Sequence, residues 1–111
     1  MLRNKIEKRI EQLNWNIYDC SCDDDCIEWE LSHYTEAGED FNIYVIFKTI
    51  EGLSYKLYNL YANFDREEQV KRRLDSNVSG VFDVETLVKD IKYIDDKLKE
   101  LWCNIDEFIG E

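Results

Sequence analysis

The last quarter of the chain most constrains how it can fold. Leu87, Ile91, Ile94, Leu98, Leu101, Ile105 and Phe108 follow one another at alternating steps of four and three residues. That spacing lines side chains along one stripe of an α-helix. Polar residues fill the opposite face, and Asp83 stands where an N-cap belongs. A helix over 84–109 would be roughly 39 Å long at 1.5 Å per residue. Its stripe has to be covered, and 111 residues provide one domain, 1–111, to cover it. The spacing predicts packing across a sheet of that domain. A coiled-coil seam between two copies is the other arrangement the same stripe allows.

A sheet has its source upstream, where the apolar period drops from helical to two. Leu2, Ile6, Ile10 and Leu13 recur at helical spacing and predict a helix over 2–13, which Asn14 and Asn16 interrupt. Strands are then expected at about 15–18, 26–32 and 41–48. Trp15 and Ile17 share a face of the first. Ile27, Trp29 and Leu31 point inward from the second while Glu28 and Glu30 point out, and Phe41, Ile43, Val45 and Phe47 face inward from the third. Sequential strands joined by loops of roughly eight residues argue for an antiparallel meander. Helical spacing returns after Gly52: Leu53, Leu57, Leu60, Tyr61 and Phe64 share a face over about 54–63. Asp65 with Glu68 forms a capping box that opens a helix over 66–75, with Val70 and Leu74 as its apolar contribution. Proline is absent, and Gly38, Gly52 and Gly80 read as breaks between elements. The expected class is α+β, a three-stranded antiparallel sheet packed by four helices.

Charge narrows the function. The net charge is −11, and residues 15–52 carry ten acids against the single base Lys48. Direct nucleic-acid binding is excluded by that balance, because it needs lysine and arginine to displace counterions from phosphates. A basic protein surface would instead be attracted, and encounter it faster at low salt. No apolar run approaches 18 residues, so no membrane partner is expected. The N-terminal residues alternate charge with apolar side chains, unlike a signal peptide. These features predict a cytoplasmic protein, as a monomer or weak dimer.

Three thiols and four carboxylates crowd the stretch Asp19-Cys20-Ser21-Cys22-Asp23-Asp24-Asp25-Cys26. Cys20, Cys22 and Cys26 are candidate zinc ligands, since zinc takes thiolate and imidazole in sets of four. A fourth ligand is harder to find. His33, the only histidine, lies seven residues from Cys26, roughly 23 Å along an extended strand, and Cys103 falls on the polar face of the last helix. Reduced thiols in a surface turn, or a disulfide, are the other states open to this cluster. Acid–base catalysis fits poorly, because most carboxylates fall at outward strand positions, polar helix faces or caps, away from the burial that raises a pKa. His33, in the inward phase at a strand's end, reads as a hydrogen-bonded structural histidine. A non-enzymatic protein is expected. The favoured site is an acidic sheet face: Glu28 and Glu30 lie about 6.8 Å apart on one side of a strand. Asp23, Asp24 and Asp25 extend it at one end, with Glu36, Glu39 and Asp40 at the other. Carboxylates held at fixed spacing can imitate phosphates in a channel lined by arginine and lysine.

The stretches Asn14-Trp15-Asn16-Ile17-Tyr18, Ser32 through Phe41, Ala62-Asn63-Phe64-Asp65, Val78-Ser79-Gly80-Val81 and Leu87 through Leu101 resemble a family of small acidic proteins encoded by phages and mobile elements of Firmicutes. The Ala37-Gly38-Glu39-Asp40-Phe41 turn and the Asn63-Phe64-Asp65 helix start are its most specific parts. Cys20 and Cys22 depart from that pattern. In size, charge and context such proteins are similar to anti-CRISPR inhibitors. The resemblance implies action in a bacterial host cell as an inhibitor of a host-defence factor, an RNA-guided CRISPR nuclease, by blocking DNA loading or cleavage. The alternative from the cysteine cluster is a zinc-stabilised structural or regulatory interaction module.

Overall fold

A computed structural model describes residues 2–21, 26–35, 40–76 and 84–109. Its elements are α1 (Leu2–Gln12), β1 (Asn16–Asp19), β2 (Ile27–Tyr34), β3 (Asp40–Phe47), α2 (Ile50–Ala62), α3 (Arg66–Ser76) and α4 (Val84–Ile109). The strands form one antiparallel sheet in the order β1-β2-β3. The expected α+β class is therefore the observed one. Asp83, Gly38 and Gly80, expected as cap and breaks, lie outside the described residues. Among the described residues no helix is long and apolar enough to cross a membrane.

The stripe of α4 is covered from within the chain. Leu87, Ile91, Ile94, Leu98, Leu101 and Ile105 are all buried, and the last four of them share a cluster with Ile6 and Ile10 of α1, Trp29 and Leu31 of β2, Ile43 and Val45 of β3, and Leu53 and Leu57 of α2. Full burial of each such side chain stabilises the fold by roughly 1.5–3 kcal/mol. Phe108, the seventh residue of the stripe, is half-buried and packs against the same cluster. Two polar residues beside the stripe are buried as well, against the expectation that the carboxylates here are solvated: Asp90 and Asp95. Each is one helical turn from stripe residues, and other elements close over both positions. The Thr35 hydroxyl donates to Asp90 Oδ2 at 3.0 Å, and Arg66 Nε donates to Asp95 Oδ2 at 2.6 Å.

Side chains set the element ends. α1 stops at Asn14, whose φ of 71° is left-handed, a conformation asparagine tolerates. The Asn14 N–H bonds Glu11 O and the Trp15 N–H bonds Ile10 O, the paired bonds of a Schellman ending, with Trp15 and Ile10 both buried. α2 begins four residues before the expected position, and Gly52 lies in its first turn rather than between elements. Thr49 is the cause: its Oγ1 accepts from the Gly52 N–H at 3.0 Å as the N-cap. Asp65 does the same for α3, accepting from the Glu68 N–H at 3.2 Å, as the capping box predicts. β2 runs to Tyr34, two residues past its expected end, because His33 is held on both sides of its ring. Asn14 O accepts from Nδ1 at 2.7 Å, and the Tyr93 hydroxyl lies 2.9 Å from Nε2.

Candidate functional site

The helices cover one face of the sheet, and the strand period sends alternate residues to the other. The register places Tyr18 of β1 opposite Glu30 of β2, and Glu30 opposite Tyr44 of β3. Beside this row runs another, Asn16, Ser32 and Asn42. Glu28 pairs with Ile46, and Tyr34 with Asp40. Tyr18 is 68% exposed, Tyr34 60% and Tyr44 54%, so this face is open to solvent. Its described outward positions hold no lysine or arginine.

Glu28 and Glu30 lie where the strand alternation places them. Among the described residues neither is in an ion pair. The Tyr44 hydroxyl donates to Glu28 Oε2 at 2.5 Å, which fixes both side chains across the strands. Asp40 opens β3 opposite Tyr34. The other carboxylates expected to extend the surface, Asp23, Asp24 and Asp25 at one end and Glu36 and Glu39 at the other, lie outside the described residues. Asp19, from the same acidic stretch, falls in the opposite strand phase and stays exposed. It pairs with Arg3 Nη2 at 2.5 Å and accepts from the Ser21 N–H at 2.9 Å. The hydrogen bonds from Ser21, helped by the Arg3 charge, hold its carboxyl below the ordinary aspartate range.

The aromatic half of the site was not assigned from sequence. Its signal was present: Tyr18 and Tyr44 are in the outward phase of their strands, and Tyr34 shares the phase of Glu28 and Glu30. Neighbouring strands are 4.7–4.9 Å apart, so the Glu30 carboxylate rises between two phenol rings rooted about 10 Å from each other. A guanidinium or ammonium group entering this row meets a carboxylate acceptor and ring faces together. Cation–π attraction contributes about 0.5–1 kcal/mol at exposed sites, and an exposed ion pair about 0.2–1 kcal/mol. Several such contacts acting together are needed for useful affinity, which suits a broad cationic surface better than a small ligand.

The thiols expected as zinc ligands are described only in part. Cys20 and Cys26 are half-buried and Cys103 is exposed, while Cys22 lies outside the described residues. Among the described residues no three histidine, cysteine or acidic side chains group closely enough to hold a metal ion. Both His33 nitrogens are occupied, and its ring stacks on Tyr93 at 5.6 Å and lies 5.2 Å from Trp15. That geometry is the hydrogen-bonded structural role expected of it, and it removes His33 as a fourth zinc ligand. Comparison with family models, with curated proteins and with solved structures finds no match.

Proposed function

We propose that this chain is a protein-binding inhibitor whose open sheet face docks on a cationic, nucleic-acid-binding surface of another protein. Its target class is an RNA-guided CRISPR nuclease, in which the docked face blocks DNA loading or cleavage. It acts by occupying the groove and carries out no reaction of its own. The observation that supports this reading is the Tyr18–Glu30–Tyr44 row, with Glu28 beside it, on a sheet face whose described positions carry no base. Rigid carboxylates offer the charge of a phosphate backbone, and tyrosine supplies contact area at low entropic cost, as in antibody paratopes. The likeness of the chain to small acidic phage proteins supplies the biological setting.

The test is binding to a purified single-protein CRISPR nuclease over a salt series. The proposal expects binding at low salt that weakens as salt rises, and at least tenfold weaker binding for Glu28→Lys with Glu30→Lys. No binding at low salt, or equal binding by the double variant, overturns it.

A further inference from the structure

α1, α2 and α4 each place side chains in the central cluster, whereas among the described residues α3 places none there and packs none against it. Arg66, Val70 and Arg73 follow one another at steps of four and three, the stripe on which a core-facing helix carries apolar residues. Here only the middle position is apolar: Val70 is half-buried, and Leu74 beyond it is 39% exposed. Charge joins this stripe to α4. Arg66 Nε donates to Asp95 Oδ2 at 2.6 Å, and its Nη2 lies 3.9 Å from Asp96 Oδ1. Seven residues on, burial disfavours the Arg73 guanidinium and the Asp90 charge supports it. Numbers rise along α3 as they fall along α4, so α3 lies antiparallel over the first half of α4.

A joint of this kind opens readily. Asp90 is 6% exposed and Asp95 9%, and Asp95 Oδ1 is buried with no hydrogen-bond partner. Removing paired charges from water offsets most of their mutual attraction, and lifting α3 returns them to water. Little apolar burial is lost with it, the condition under which one element opens ahead of the whole fold. A helix of eleven residues is too short to persist once detached. We propose that α3 is an arginine-latched strap that lifts from α4 and unfolds as one unit while the rest of the chain stays folded. Closed, it withholds the Asp90 and Asp95 carboxylates from cations in solvent; lifted, it adds them to the acidic surface. The lifting is independent of the partner that the open sheet face meets.

Hydrogen exchange of the full chain at pH 7, read by NMR at each amide, measures the opening. The amides of 70–75 are expected to share one opening and to exchange at least a hundredfold faster than those of 98–105, after correction for intrinsic rates. Arg66→Gln is expected to speed 70–75 at least tenfold. Arg72→Gln is its control, because the Arg72–Glu68 pair at 2.7 Å lies within α3; a change below about threefold is expected there. Ile105→Val, at a fully buried position, separates local from global opening. It weakens the closed and lifted forms alike, so 98–105 speed up about twofold to tenfold while 70–75 keep their rate. If 70–75 are as protected as 98–105, or Ile105→Val speeds both by the same factor, α3 opens only with the whole fold and the strap is overturned. An Arg66→Gln effect no larger than that of Arg72→Gln removes the latch and overturns the proposal equally.

Discussion

Thr35→Val tests the joint between the end of β2 and α4. Thr35 is 5% exposed and Asp90 6%, and the hydroxyl reaches Asp90 Oδ2 at 3.0 Å. Valine has nearly the same shape as threonine, so the change removes a donor and opens little space. A hydrogen bond to a charged group contributes roughly 1.5–3 kcal/mol, and a buried acceptor left without its donor keeps its desolvation cost. A loss of about 2 kcal/mol is expected. At about 4 °C per kcal/mol for a domain of this size, the Tm falls by about 8 °C. In urea the midpoint falls by about 1 M at an m-value near 2 kcal/mol/M, with the slope unchanged. Asp90 also matters to Arg73, whose guanidinium is disfavoured by burial and supported by the Asp90 charge. Asp90→Asn is therefore expected to cost more than Thr35→Val. A Thr35→Val loss below about 0.5 kcal/mol, the range of ordinary surface substitutions, would refute the buried pair.

Leu101→Ala empties a fully buried position in the α4 stripe and is expected to cost about 2–5 kcal/mol in urea unfolding; less than about 1 kcal/mol would place the stripe outside the core. Asp19 titrates below its ordinary value in the folded chain, so its stabilisation is fully present above about pH 4 and is lost as pH falls through the lower folded value. Asp19→Asn should flatten the acid side of a Tm-against-pH curve in that window, and an unchanged acid limb would contradict the Ser21 and Arg3 contacts. Cys103 is exposed while Cys20 and Cys26 are half-buried, so a thiol reagent followed by peptide mapping should label Cys103 first. Earlier labelling of Cys20 or Cys26 would contradict those burials.

What the sequence reveals and what it conceals divides along local and distant interactions. Alternation from Ile27 to Leu31 and from Phe41 to Phe47, and the four-three stripe of α4, are repeated local signals, and those elements lie within two residues of their expected ends. Gly52 was misread because its low helix propensity is overridden by a cap three residues upstream, at Thr49. The length of β2 depends on Asn14 and Tyr93, which lie 19 and 60 residues from His33; no window along β2 contains them. Asp90 and Asp95 look solvated on a helical wheel, because only the tertiary fold brings Thr35 and Arg66 over them. In the site, Glu28 and Glu30 were legible from strand period alone. Pairing them with Tyr18 and Tyr44 needs cross-strand register, which the turns set and a single strand does not carry.

The chain carries acidic groups elsewhere, notably Asp106 and Glu107 near the end of α4, so a cationic probe can choose among surfaces. Titrating nine-residue oligoarginine into the ¹⁵N-labelled chain, and reading amide shifts residue by residue, asks directly which surface it prefers. The largest shifts are expected at Tyr18, Glu28, Glu30 and Tyr44, shrinking together as salt is added. Shifts spread evenly over the acidic residues, or centred on the end of α4, would show that the open sheet holds no special affinity for cations.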